Sequence, residues 1–321
     1  MRLGIIGDGL RWILESIYHV VPNYGLAVIL FTLVIRILLM PLDVKSKRSM
    51  ARMATFNPQI EAIKKKYAND KEKLNQKTQE LYKKEKINPL SGCLPMLLSM
   101  PILFSMFAVM REIADEEIVR MVLQIKTNLE AGVLDYYPNY QGFLWIRNVF
   151  QADSFMASVF PSVGNALSFG PSGQMTVEMI EEARAFLTSD LYSAWALEQG
   201  GGIVYTGQLL MWTIEIPRNF NGLMILPILA GLSQIVATKL NPMAQPGGAP
   251  AAGADPKKST NAMMKYFFPL FSVFICLTST AGFALYWVAV NIIQVIQQYG
   301  IGKWIKYSDA RKLASQEVAK P

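Results

Sequence analysis

One stretch constrains this chain more than any other. Tyr24 to Pro41, YGLAVILFTLVIRILLMP, is apolar nearly throughout and carries a single charge, Arg36, with Thr32 one helical turn earlier. Tyr24 to Met40 makes about 26 Å of helix at ~1.5 Å per residue, enough to cross a hydrocarbon core. An arginine inside such a span costs roughly 3 kcal/mol on insertion scales and calls for a water-filled cavity or a polar partner. The other arrangement is a side chain near one end that snorkels to the headgroups. Arg36 lies five residues before Pro41, ~7 Å of helix, which leaves both arrangements open.

The rest of the chain has the same character. Of its residues 52% are hydrophobic and 17% charged, against ~25% charged in a typical soluble domain. Apolar blocks recur at 24–40, 93–110, 223–240 and 266–298. The last is too long for one ordinary span, and Ser279, Thr280, Ala281 and Gly282 offer a turn in its middle. The expectation is an all-α, polytopic membrane protein with a five-span helical core: 23–41, 89–110, 223–240, 263–280 and 283–300.

Charge orients these spans. Segment 42–88 holds 13 Lys/Arg against 6 Asp/Glu, a net of +7, whereas segment 111–222 holds 6 against 13, a net of −7. The positive-inside rule puts the first in the cytoplasm and the second outside. Five spans then place the N-terminus outside and the basic tail, 301–321 with Lys303, Lys306, Arg311 and Lys312, inside.

Residues 1–22 are too short and too charged to span. Ile5, Ile6, Leu10, Ile13, Leu14, Ile17 and Val21 recur at helical spacing, with Asp8, Arg11 and Glu15 elsewhere on the wheel. This predicts an amphipathic interfacial helix ended by Pro22. A signal peptide is the competing reading, but those three charges interrupt any apolar core it would need.

Segment 42–88 reads as a helical hairpin joined near Ala68-Asn69-Asp70, with Asn57 as an N-cap and Pro58 at the first helical position. Its lysines and aromatics, Lys64, Lys65, Lys66, Tyr67, Lys71 and Lys73 among them, fit a solvated face attracted to anionic lipid. A docking surface for an acidic partner or a nascent chain is the second reading, and composition favours the first. Residues 88–95 return to the membrane, and Pro101 lies within the second span.

In the external segment, 111–131 looks helical, and 136–146 is aromatic. Thr176 reads as an N-cap to a stripe of Val177, Ile180, Phe186, Leu187, Leu191 and Trp195, which ends at Gly200-Gly201-Gly202. A small helical cap is expected there. Residues 241–262 read as a flexible cytoplasmic linker. On the last span Trp287, Asn291, Gln294 and Gln298 fall on one helical face. Amides in a bilayer need partners, so this face turns into the bundle or towards water.

No catalytic set is visible. The lone histidine, His19, has no ligand partner in sequence, and Cys93 and Cys276 suit core packing better than a disulfide or metal site. Nothing calls for a cofactor or a specific nucleic-acid readout. The spans hold no Asp or Glu, so coupled transport lacks its usual carboxylate. They offer instead Thr32, Arg36, Ser99, Ser233, Gln234, Asn291 and Gln294: one positive charge among neutral hydrogen-bonding groups. That set suits transient contact with polar peptide and acidic side chains. A small multi-pass transporter or channel is the alternative, and a structural scaffold a third.

Three groups of residues carry a family resemblance. They are Thr32-Leu-Val-Ile-Arg36 with Met40-Pro-Leu42, the charged hairpin ending Ile87-Asn-Pro-Leu-Ser-Gly-Cys-Leu-Pro95 with Pro101, and Leu285-Tyr-Trp287 with Asn291, Gln294 and Gln297-Gln298. Together they resemble the YidC-type membrane protein insertases, as do 143–153 and 226–242 in the same order. The resemblance implies an insertase without covalent chemistry, and the absence of an Arg-rich, Ser-rich transit segment argues for a bacterial plasma membrane over an organelle. It also implies a groove open to cytoplasm and lipid but closed outside, lined by Arg36 and Thr32 and faced by Trp287. The hairpin would receive nascent membrane proteins, the basic tail would approach a ribosome, and a Sec-type translocon could stand beside it. The chain departs from the pattern in lacking a match to the large periplasmic domain of the Gram-negative members, and in an insert, about 161–221, without a match.

Overall fold

The computed structural model describes residues 4–85, 94–162, 164, 170, 172, 174–209, 212–240 and 266–318. In chain order the helices are α1 (Gly4–Val20), α2 (Tyr24–Ala54), α3 (Asn57–Lys66), α4 (Lys71–Lys84), α5 (Leu94–Glu130), α6 (Val177–Leu187) and α7 (Asp190–Glu198). Strands β1 (Ile203–Leu209) and β2 (Trp212–Pro217) follow, then α8 (Ile225–Leu240), α9 (Phe268–Thr278) and α10 (Ala281–Val318). Of the described helices, one stretch, Tyr24–Ser49, is long and apolar enough by itself to cross a membrane, and Ile225–Leu240 and Phe268–Thr278 are shorter apolar helices.

The chain divides into two compact units. One comprises residues 1–32, 102–231 and 270–289, the other 33–101, 232–269 and 290–321.

The first unit is built on the middle of α5. Met106, Val109, Met110, Ile118, Val122 and Ile125 are buried there, along with Leu14 of α1, Val28 and Phe31 of α2, and Phe283 of α10. Phe107 meets Phe283 edge-on at 4.9 Å between ring centres. Arg11, assigned by its place on the helical wheel to the polar side of α1, in fact bonds to α5. Its guanidinium donates to Glu116 at 2.7 and 2.9 Å, to Glu112 at 2.9 Å and to Glu15 at 2.7 Å. Glu116 also accepts from the Ser172 hydroxyl at 2.8 Å. Arg11 and Ser172 hold the Glu116 carboxyl below its ordinary range against the opposing effect of burial. Asp115 next to it is pushed up to about 6, first by burial and then by Glu112 and Glu116, with Arg111 opposing.

The connection from α5 to α8 is pinned by a polar knot. The Asn221 side chain bonds both ways to the Asn148 backbone, its Oδ1 accepting from the Asn148 N–H at 2.7 Å and its Nδ2 donating to the Asn148 carbonyl at 2.8 Å. The buried Asp153 carboxylate accepts from Leu223 N at 2.9 Å, from Leu226 N at 2.7 Å and from the Trp145 indole at 3.2 Å. It thereby caps the first turn of α8, where a negative charge meets the positive end of the helix dipole. Gly222 lies so close to Asp153 that any Cβ there would collide with the carboxylate.

Four expectations are corrected here. The all-α reading misses the antiparallel hairpin of β1 and β2, which pairs Tyr205 with Ile216 and Gln208 with Thr213. Its β-branched and aromatic residues, Ile203, Val204, Tyr205, Thr213, Ile214 and Ile216, favour strand over helix. The single stripe of 177–195 is two helices, α6 capped by Thr176 and α7 capped by Ser189, whose hydroxyls each accept a backbone N–H at 3.2 Å. Ile180, Phe186, Leu187 and Trp195 are buried, but Val177 and Leu191 are exposed. Asn57 does not cap α3: Phe56 holds that place, without a side-chain bond. Finally, α2 does not stop at Pro41 but runs on to Ala54, although proline removes one helical hydrogen bond. Lys47, whose ammonium donates to the Gln298 carbonyl, and Arg48, 4.8 Å over the Trp304 ring, fasten the extension to α10. Residues 86–93 and the linker at 241–262 lie outside the described residues.

Replacing Asp153 by alanine strands buried N–H donors and is expected to cost about 3 kcal/mol, read as lowered thermal stability of the purified protein in detergent. Asp115 supplies a pH test. Its carboxyl is raised in the fold, so the stability it contributes is present below pH 3.8 and is lost as pH rises through about 6. Asp115→Asn should therefore gain melting temperature over the unsubstituted protein as pH goes from 4 to 7.

Candidate functional site

In the second unit one face of α2 gathers polar groups against α10. Leu33, Val34, Ile37, Leu38 and Met40 are exposed, leaving Arg36 half-buried on another side of the helix. Its Nη2 donates to Oε1 of Gln294 at 2.9 Å. One turn further along α10, Nε2 of Gln297 donates to the Arg36 carbonyl at 3.4 Å and to Oδ2 of Asp43 at 3.2 Å. An amide acceptor stabilises a guanidinium without neutralising it.

Asp43 is the residue that sequence reasoning missed. It lies seven positions beyond Arg36, on the same face and just past the apolar run, and so escaped a search for acids within spans. Its carboxylate accepts from the Gln297 amide of α10. The signal was available in the i, i+7 spacing. Lys47, one turn on, donates to the Gln298 carbonyl.

Of the other groove candidates, Asn291 is buried and its Nδ2 donates to the Ser233 hydroxyl at 3.1 Å, tying α10 to α8. Gln234 is half-buried on α8. Thr32 and Trp287 belong to the first unit. Thr32 is 1% exposed, and its hydroxyl donates to the Val28 carbonyl at 2.7 Å, one turn back on its own helix. Trp287 stacks at 5.7 Å on Phe283, with its indole N–H buried and without a partner among the described residues. The Ser99 side chain lies outside the described residues.

On the hairpin, Lys64, Lys65 and Lys66 fill the last turn of α3, where cations favour the negative end of the dipole. Lys66 stands 5.7 Å over the Tyr67 ring. Asp70 caps α4, accepting Lys73 N at 3.0 Å and pairing with the Lys73 ammonium at 3.2 Å. Lys65, Lys66, Lys71 and Lys73 are exposed.

Apolar helices that carry a guanidinium and amides on one face fit a helical membrane protein. The profile of the family described as 60Kd inner membrane protein matches residues 16–309, and the chain belongs to that family. Its relatives include proteins named membrane protein insertase YidC. The one from Fusobacterium nucleatum is 39% identical over 160 residues, half of this chain and 66% of that protein. The one from Caldanaerobacter subterraneus is 32% identical over 198 residues, covering 60% of this chain and 83% of that protein. The one from Treponema denticola is 28% identical over 298 residues, 92% of this chain but 37% of that protein. The chain thus spans about two thirds of the Fusobacterium protein and under two fifths of the Treponema protein.

Gln294→Leu removes an acceptor of Arg36 and is expected to lower stability by about 2 kcal/mol, measured by thermal unfolding. In an Arg36→Met background the same substitution should cost much less, because there the guanidinium that needs the acceptor is already gone.

Proposed function

We propose that this chain is a membrane protein insertase of a bacterial plasma membrane. It has five spans, the N-terminus outside and the basic tail in the cytoplasm. The observation that carries this reading is Arg36, held half-buried on an apolar helix by Gln294. A charge fixed in that position attracts acidic residues at low effective dielectric. The names borne by the relatives support the same reading.

The mechanism needs no nucleotide and no covalent step. Arg36, Gln294, Ser233, Gln234 and Asn291 line a hydrated groove open to the cytoplasm. The groove lowers the desolvation cost of a short polar segment entering the membrane. The client's apolar helix then leaves sideways into lipid, driven by burial of its apolar surface. The α3–α4 hairpin, with Lys64, Lys65, Lys66, Tyr67, Lys71 and Lys73, receives the nascent chain. The basic tail faces the ribosome, and a Sec-type translocon stands beside the insertase for some clients.

Insertion of a single-span client with an acidic N-terminal tail into proteoliposomes tests this. Arg36→Ala should lower the yield about tenfold and Arg36→Lys much less, and a client with a neutral tail should be little affected. Equal yields from all three proteins with every client would sink the reading. Cysteines placed along Tyr24–Met40 should react with a water-soluble thiol reagent from the cytoplasmic side only. Reaction from both sides, together with solute flux, would point to a channel.

A further inference from the structure

Arg36 and Asp43 share one face of α2, bridged by a single amide. Nε2 of Gln297 donates to the Arg36 carbonyl and to the Asp43 carboxylate. Oε1 of Gln297 is buried and has no hydrogen-bond partner among the described residues, so it is the N–H end of this amide that is anchored. Lys47, the next cation along the helix, has its ammonium engaged by the Gln298 carbonyl. An anionic group two helical turns from a cation, both poorly solvated, lowers the positive potential that any newcomer meets.

We propose that Asp43 is a resident counter-charge for Arg36 that sets how acidic a translocated segment must be to engage it. This inference rests on the insertase reading. An incoming carboxylate competes with the field of Asp43, so a tail with several acids outcompetes it and a tail with one acid does so poorly. Asp43 would then be a specificity-determining residue: it discriminates among clients by a repulsive element placed beside the attractive one. Gln297 is its positioning residue, because its amide holds the carboxylate on the α10 side of the helix.

The experiment uses the full chain in proteoliposomes and three clients identical except for tails carrying no acid, one acid or three acids. Asp43→Asn keeps an oxygen acceptor for Gln297 and removes the charge. It should raise insertion of the one-acid client by about threefold or more, raise the three-acid client less, and leave the neutral client unchanged. Asp43→Glu should behave like the unsubstituted protein. Adding Asp43→Asn to Arg36→Ala should give no gain over Arg36→Ala alone, because the charge being compensated is gone. If Arg36→Ala impairs the acidic clients while Asp43→Asn changes none of them, or lowers all three equally, the counter-charge inference fails and the insertase reading survives. If Arg36→Ala changes nothing for any client, the insertase mechanism fails, and the inference with it.

Discussion

A guanidinium on an apolar helix needs a second element to receive it, and that requirement shapes the second unit. Charge cannot be shed by deprotonation, since arginine keeps its proton under all ordinary conditions. The chain therefore supplies Gln294 from α10 to accept from Arg36 and a second amide, Gln297, to bond the backbone beside it. Asn291 then bonds Ser233 of α8, so three helices are joined by polar contacts where apolar packing alone gives little specificity. The same contacts hold the guanidinium against α10 on an otherwise apolar helix.

The first unit meets a related constraint with opposite sign. Asp153 is a buried carboxylate, and the only way to keep it is to surround it with donors: two backbone N–H groups at the start of α8 and the indole of Trp145. The Asn148–Asn221 pair closes the same loop. Arg11 does for α1 what Asp153 does for α8, fixing a helix through charge-assisted bonds to Glu112 and Glu116. These acids and this arginine come from segments far apart in sequence.

Much of this was legible beforehand where one element decides the outcome. The turn between the last two apolar helices falls at Ser279-Thr280, where α9 ends and α10 begins. Thr176 caps α6 as its position implied, and Asn291 and Gln294 find polar partners as amides on an apolar helix must. The β-hairpin was hidden because its strands follow a glycine run and sit inside an otherwise helical segment. The continuation of α2 beyond Pro41 was hidden too. The bonds that hold it come from Gln297, Gln298 and Trp304, far along the chain.

By itself the sequence determined the apolar blocks, the charge asymmetry between 42–88 and 111–222, and the family pattern around Arg36. These follow from composition and short-range periodicity, which each element carries alone. Only the tertiary structure decided that Arg36 meets Gln294, that Asp43 joins it through Gln297, and that Arg11 turns onto α5. A polar side chain's partner depends on which helix lies opposite, and spacing along one helix holds no information about the other.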